Sequence, residues 1–403
     1  MSAGVFVAGG AQSDFARVLH REGTSLAALF AEVGESALHS AGIDRARVGT
    51  VHVANFVGEL STGQGHLGPL VASSIPGLAG LPASRHEGAC ASGSLAILAA
   101  TAELEAGRYD VALVLGVEQL RARPSIESVA HLGAAALVPE ETAPRKFVWP
   151  ELFAELADYT FARTPLRWEH LASLARTAFA RGRQNPLAQT RRWELSAHAF
   201  EANDEENPLV AGSLRRHDCS QLTDGAAAVV LVSERVKHLL APGPRARITG
   251  FGHRTDTLDL GSKIARGLPS PLPALGLAAG DAYRRAGRHA AEVHVAEVHD
   301  CFTISQALAV EALGFAAPGE AHRFIEACEQ PGFEGPMVNP SGGLVAVGHP
   351  VGATGVRMLL DVARQVRGLA GAQQVPGARV GVTSNLGGSG ATAVSFVVER
   401  DEA

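Results

Sequence analysis

The feature that most constrains this chain is that it reads twice. Val5–Gly10 (VFVAGG) and Arg247–Gly252 (RITGFG) both read as a strand entering a glycine turn. After each comes a helical stretch that ends at Ala-Gly, crosses a polar turn and enters a Val-rich strand. The two versions are AGIDRARVGTVHVANF, from Ala41 to Phe56, and AGRHAAEVHVAEVHDCF, from Ala286 to Phe302. The first copy continues through CASGSLAILAATAELEAG, a helix closed by Gly107, into the nearly unbroken apolar strand YDVALVLGVE. The second continues through GATGVRMLLDVARQVRG, a helix closed by Gly368, into two strands joined by SNLGGSG. Strands without alternation are buried on both faces, so helices must cover both sides of the sheet. Two copies of one α/β unit explain this order better than unrelated domains do.

The first copy is interrupted. Residues 119–218 are rich in Arg, Glu and Trp and contain NPLAQ (Asn185–Gln189), whereas TDGAAAVVLVSE (Thr223–Glu234) reads as the missing last turn and strand. The expected division is an N-terminal half over 1–118, completed by 219–245, an inserted loop domain over 119–218, and a C-terminal half over 246–403. A chain of 403 residues is long for one core and fits two halves.

Composition removes several function classes. With 46% hydrophobic and 19% charged residues, the chain describes a compact soluble protein. The net charge of -6 provides no basic footprint for nucleic acid. No apolar run approaches the roughly 18 to 20 residues that span a bilayer. Met1–Gly10 lacks the basic region and long apolar stretch of a signal peptide, and the ending RDEA is not a peroxisomal Ser-Lys-Leu, so a cytoplasmic protein without membrane contact is expected. Cys90, Cys219, Cys301 and Cys328 are too few and scattered for a disulfide framework and contain no C-x-x-C pair, which makes them free thiols.

Four segments carry the chemistry. Cys90 lies in GACASG at the start of a small-sided helix, where backbone amides and the helix dipole are expected to favour a thiolate and small neighbours admit an acyl group. Taken alone, a cysteine there is more often a packing residue. His349 lies in NPSGGLVAVGHPVGATG, a glycine-tight loop before a helix, where an imidazole can serve a thiol as general base. HDCF (His299–Phe302) ends the strand VHVAEV, and alternation sets His299 and Cys301 on one side with Asp300 turned away. His294, Glu297 and His299 do not form a metal set, because alternation sends His294 to the opposite face. SNLGGSG (Ser384–Gly390) is a glycine turn whose N–H groups could stabilise an oxyanion.

In this order and over essentially the whole chain, these segments resemble the thiolase superfamily. GACASG resembles its nucleophilic-cysteine motif and GHPVGATG its histidine motif. HDCF resembles the sterol-carrier-protein type, whose second catalytic cysteine lies there; other thiolases carry Asn-Glu-Ala-Phe at this place and a cysteine near the last glycine turn, where this chain has Asn385. The resemblance implies a five-layered α/β/α/β/α fold, with the helices after Cys90 and His349 in the middle, and a homodimer or dimer of dimers.

The implied activity is that of an acyl-CoA C-acyltransferase, which cleaves a 3-oxoacyl-CoA with CoA to acyl-CoA and acetyl-CoA, or runs the reverse Claisen condensation. His349 would take the proton of Cys90, and Cys301 would exchange protons with the acetyl-CoA carbon and with CoA. His349 with a water held by His299 would form one oxyanion site, and the N–H groups of Cys90 and Gly387 the other. CoA thioesters are substrates, with no permanently bound cofactor and no metal. The CoA tail is expected along the loop domain. Two alternatives remain: another acyl transfer or carbon–carbon lyase reaction on this scaffold, including one with a small accessory subunit, and a non-catalytic CoA-binding scaffold. The intact set Cys90, His349 and Cys301 argues against the second.

Overall fold

Both glycine-bearing segments are strands that run through their glycines without turning. In the computed structural model, which describes residues 4–402, they are β1 (Val5–Gln12) and β8 (Arg245–Thr255). Met1–Ala3 and Ala403, the outermost residues of the two expected halves, lie outside the described residues. The expected glycine turns are therefore corrected to close-approach sites. A Cβ on Gly9 would meet the backbone of Ala41 at 2.6 Å, and one on Gly250 or Gly252 would run into the carbonyls of Ala282 or Ala278. The covering helices Leu26–Ala41 and Pro273–Ala286 thus lie directly on the strand backbone.

The remaining strands are β2 (Thr50–Ala54), β3 (Ala83–His86), β4 (Val111–Gln119), β5 (Leu209–Ala211), β6 (Leu214–Arg215), β7 (Asp224–Ser233), β9 (Val295–Val298), β10 (Met337–Val338), β11 (Val380–Gly387) and β12 (Thr392–Asp401). Ten of them form one sheet in the order β10-β9-β11-β12-β8-β1-β7-β4-β2-β3, and β5 pairs with β6. The order is palindromic in fold terms: β3-β2-β4-β7-β1 repeats as β10-β9-β11-β12-β8, with the same parallel and antiparallel pairings. The halves meet where β1 and β8 pair antiparallel, Val5 opposite Ile248 and Val7 opposite Ala246. Each copy also repeats its helix end, with Gly42 and Gly287 left-handed at φ 64 and φ 65.

Burial sorts into five layers. Helices Leu26–Ala41 and Leu67–Ser74 cover the outer face of the N-terminal half-sheet, where Leu29, Phe30, Val33 and Val71 pack on Val51, Leu113 and Val230. On the other outer face, helices Pro273–Ala286 and Thr303–Ala312 pack on Ala296, Val382 and Val397. Between the half-sheets lie helices Ser92–Glu105 and Thr354–Arg367, whose Ile97, Ala100, Leu359 and Val362 pack with Val114 and Val229 from one half and Val394 and Phe396 from the other. Each such large apolar side chain contributes about 1.5–3 kcal/mol by leaving water. Between β4 and β7 the chain forms helices Ser125–Leu132, Val148–Phe161 and Trp168–Gly182 and the β5–β6 hairpin.

The two central helices touch at glycines. A Cβ on Gly93 would stand 2.8 Å from the Val356 nitrogen and 2.9 Å from that of Gly355, and a Cβ on Gly355 would stand 2.5 Å from the Ser94 nitrogen. Backbone meets backbone there, so neither position accepts a side chain without separating the helices. Gly355→Ala is expected to destabilise the protein by about 1–3 kcal/mol. Gly280→Ala, in a helix where a Cβ meets nothing within 4 Å, is the matched control and should be neutral or stabilising. Thermal denaturation of both variants checks this; equal melting temperatures would mean that the crossing tolerates a methyl group.

Candidate active site

The glycine crossing brings two helix entrances together. Cys90 lies in a short 3-10 turn, Ala89–Ala91, that runs into helix Ser92–Glu105, and His349 lies just before the turn Val351–Ala353 that runs into helix Thr354–Arg367. Ala89 is held at φ 51, a left-handed conformation that a non-glycine residue adopts at a cost. The turn is secured by Ser92 Oγ, which accepts from Gly88 N–H at 3.0 Å and donates to Ala89 O at 2.6 Å, and by Glu87, whose carboxylate accepts from Ala89 N–H at 2.6 Å.

The Cys90 sulphur and one ring nitrogen of each of His299 and His349 all lie within 4.8 Å of one another. The two rings stand edge to face, centroids 4.9 Å apart at 88°. Their hydrogen bonds assign opposite tautomers. Thr354 gives its own hydrogen to Pro350 O at 3.2 Å, so it accepts from His349 Nδ1–H at 2.7 Å, and His349 Nε2 is left with a lone pair. Asn385 accepts from Ser94 Oγ at 2.8 Å through its oxygen. Its amide nitrogen donates to Cys90 O at 3.3 Å and to His299 Nδ1 at 2.8 Å, so the His299 proton is on Nε2. Both Nε2 atoms are buried and bonded to no protein group. The site therefore presents one imidazole that accepts a proton and one that donates a hydrogen bond.

HDCF leaves β9 at Val298 and splits as alternation expects. His299 N–H bonds Ser384 O at 2.9 Å, and its ring faces His349. Asp300 turns away, accepting from Leu344 N–H at 2.6 Å, and burial pushes its carboxyl up to about 6. Cys301 lines the same cavity as Cys90 and His349, with Ser305 Oγ 3.8 Å from its sulphur. Of the other residues weighed for a metal, Glu297 pairs with the fully buried Arg357 at 3.3 Å, and His294 Nδ1 accepts from Val380 N–H at 3.3 Å, far from the site.

Electrostatics corrects one expectation. Cys90 was expected to ionise readily at its helix entrance, but burial pushes its thiol up to about 12, although the backbone amides of Gly388 and of Cys90 itself pull it the other way. Desolvation outweighs those amides in a site closed by apolar walls. Burial also lowers His349 to about 3 and puts His299 well below the ordinary histidine value, with the Arg357 charge pushing both the same way. Cys301 is raised well above the usual thiol range, again by burial first. At neutral pH the resting site is therefore uncharged, with a thiol beside a neutral base. In the last glycine turn Gly388 lines the cavity beside Cys90. Gly387 packs against the turn before Cys90, where a Cβ on it would collide with Gly88 O.

Sequence reasoning passed over Thr354, Thr223 and Cys219. Thr354 orients His349 from inside GATG, and Thr223 Oγ1 accepts the His349 N–H at 2.9 Å. Cys219 is a third thiol lining the cavity, donating to Arg215 O at 3.4 Å. Glu118 is a fully buried carboxylate that accepts from the N–H groups of Phe56, Val57 and Gly352, tying the turn after His349 to the end of β4. Only Thr354 had a motif-level signal, its place in GHPVGATG five residues after His349, whereas Thr223 reaches the loop from 126 positions away. The cavity measures about 150 Å³, and Val129, Leu132, Trp149, Phe153 and Phe302 make its walls apolar.

Comparison with known proteins agrees with this geometry. The family signature for the thiolase N-terminal domain matches residues 5–235, and that for a thiolase C-terminal-like domain matches residues 269–400. The chain belongs to the thiolase family. It is an acyltransferase with the thiolase fold, and its HDCF motif places it with the sterol-carrier-protein type. It is 32% identical over 375 residues to an acetyl-CoA acetyltransferase of Methanothermobacter thermautotrophicus, covering 92% of this chain and 94% of that one. It is 28% identical over 404 residues to bovine sterol carrier protein 2, covering 97% of this chain and 72% of that protein. Among solved structures, the Ltp2-ChsH2(DUF35) aldolase superposes with a TM-score of 0.78 at 22% identity, covering 99% of this chain and 98% of that one. Among the described residues no helix is long and apolar enough to cross a membrane.

The hydrogen-bond pattern makes a testable demand on Asn385. Asn385→Asp keeps the shape but offers no N–H to His299 Nδ1, so His299 should take the other tautomer and lose its Nε2–H. A wrong-tautomer histidine can cost about 10⁴-fold in a catalytic triad; here, with the ring acting as a donor, a loss of about 10²-fold in carbon–carbon chemistry is expected. Nitrogen-15 NMR of the imidazoles should report the tautomer change. An unchanged His299 spectrum would show that Asn385 does not set it.

Proposed function

We propose that this thiolase-family enzyme cleaves or forms 3-oxoacyl-CoA thioesters through an acyl group carried on Cys90, with His349 as its base and Cys301 as the second proton carrier. The observation that supports it most is the convergence of the Cys90 sulphur with two neutral, oppositely protonated histidines, at an apolar cavity that Cys90, His349 and Cys301 line. In the cleavage direction His349 Nε2 takes the proton of Cys90 as the sulphur attacks the 3-keto carbon. The N–H groups of Cys90 and of Gly387 in the last glycine turn then stabilise the oxyanion. The bond between C2 and C3 breaks, and the electron pair moves into the thioester enolate, which accepts hydrogen bonds from the now protonated His349 and, directly or through a water, from His299 Nε2–H. Cys301 gives its proton to that carbon, and acetyl-CoA leaves. Its thiolate then takes the proton of incoming CoA, whose sulphur attacks the acyl-Cys90 thioester; the Cys90–acyl bond breaks, Cys90 recovers its proton from His349, and acyl-CoA leaves.

Burial suits both thiols to these tasks. A thiol that resists ionisation keeps its proton until a stronger base, the nascent enolate, forms beside it. A cavity of about 150 Å³ with apolar walls holds an apolar group about the size of benzene, in keeping with an acyl chain next to the nucleophile. Leu120, Val129, Trp149 and Phe153 come from residues 119–218, which supports reading that segment as the loop domain that shapes substrate choice. The division into halves over 1–118 with 219–245 and over 246–403, a homodimer or dimer of dimers, and a cytoplasmic role in lipid metabolism are parts of the same proposal. The likeness to a structure titled as an aldolase with a DUF35 component supports a second reading, in which an accessory subunit joins this chain.

Two measurements test the roles. Cys301→Ala should still take up an acyl group from a simple acyl-CoA, because acylation needs only a nucleophile, a base and an oxyanion site. It should lose thiolysis and the exchange of acetyl-CoA methyl protons with deuterated water. Thiolysis near the wild-type rate would make Cys301 a packing residue, and loss of the adduct in a folded variant would mean the thiols have exchanged roles. The second is a pH profile. His349 must be neutral to accept the proton, and it becomes protonated only as pH falls toward about 3, so acylation of Cys90 should show no acid limb near the ordinary histidine value. A limb close to 6.5 would mean that the base is not this buried imidazole.

A further inference from the structure

One buried cation is not used by the mechanism above. Lys263 lies in the short helix Leu260–Ala265 and is 0% exposed. Its Nζ donates to Ser389 Oγ at 2.8 Å, Ser389 O at 3.0 Å and Leu258 O at 3.2 Å, which uses all three of its hydrogens. Among the described residues no carboxylate lies within ion-pair distance of it. An ammonium buried without a counterion is costly, and an apolar side chain would pack there at less expense, so its contacts account for its presence. Those contacts are with the last glycine turn. Gly388 and Gly390 adopt φ 60 and φ 80, outside the regular β11–β12 ladder, and Gly388 lines the cavity beside Cys90. The lysine itself is anchored, because Asp259 caps its helix through Ser262 N–H at 2.6 Å and Glu141 accepts Leu260 N–H at 2.8 Å.

We propose that Lys263 is a positioning residue for acyl transfer: its ammonium holds the carbonyl and hydroxyl of Ser389 so that the adjoining glycine backbone, which lines the cavity at Gly388, stays in place beside the Cys90 thioester. This rests on Cys90 being the acyl carrier. The charge matters as well as the shape. Three acceptors match an ammonium with three hydrogens, whereas a neutral amine has two and leaves one acceptor unpaired. Burial lowers Lys263 to about 8; Asp256, Glu141 and Asp259 oppose that shift and Arg266 adds to it. The lysine is thus mostly charged at neutral pH and loses its proton as pH rises through about 8. Cys90 and His349, near 12 and 3, titrate far from there.

Single-turnover acylation of Cys90 by an acyl-CoA, followed by intact-protein mass across pH, tests the idea. The wild type should acylate Cys90 and slow as pH rises through about 8. Lys263→Met should acylate about 10- to 100-fold more slowly, less than the 10²- to 10³-fold cost of deleting an oxyanion donor, with unchanged dependence on acyl-CoA concentration and no limb near 8. Lys263→Arg, which keeps the charge, should recover part of the rate and also lack that limb. A folded Lys263→Met that acylates like the wild type, or one that slows only through weaker acyl-CoA binding, overturns the proposal. Should Lys263→Met not fold, Ser389→Ala decides: a rate several-fold lower with the limb moved to lower pH supports the role, and wild-type behaviour overturns it. A wild type that takes no acyl group on Cys90 fails at an earlier step, and it is the acyl-carrier reading that then falls.

Discussion

The contact on which the site depends is the approach of two helix backbones at Gly93 and Gly355. Without side chains there, helices Ser92–Glu105 and Thr354–Arg367 cross near their first turns, and the loops feeding them arrive at the same place. Cys90 and His349 meet because of it. The effect spreads one residue further, since Ser94, next to Gly93, is brought to Asn385, and Asn385 in turn orients His299 and holds Cys90 O. A single steric allowance therefore assembles a thiol, an imidazole that accepts and an imidazole that donates from segments far apart in the chain.

The second constraint is dryness. The site contains no resting ion pair: burial holds both thiols protonated and both imidazoles neutral, and Arg357, paired with Glu297 and Asp361, adds a positive field behind the histidines. Charge then appears only as the reaction proceeds, among N–H groups already in place, which is where fixed dipoles act most strongly. The backbone around the thiol follows the same logic. Ala89 sits in a left-handed conformation, and Gly387 and Gly388 occupy positions where a side chain collides with Gly88 O or needs a positive φ.

Much of the fold was legible because duplication and periodicity are local properties. The polar turns after Gly42 and Gly287, the helix ends at Gly107 and Gly368, and the unbroken apolar strand β7 all read directly from residue order. The failures share one cause. Glycine in VFVAGG and RITGFG signals either a turn or a close approach, and only the helix lying on the strand distinguishes them. Likewise, a helix entrance argues for a thiolate at Cys90 until the apolar cavity around it is known, and desolvation then reverses the sign.

Residue order by itself determined the twofold α/β plan and the thiolase motifs, and through them the choice of Cys90, His299, Cys301 and His349 as the candidate set, because each motif is a run of residue types within a short window. Tertiary structure decided how they sit: which tautomer each histidine holds, that Gly388 lines the cavity beside Cys90, and that Cys219 shares it. Those properties are set by distances between residues as far apart as Ser94 and Asn385, 291 positions along the chain, and no local pattern carries such a distance.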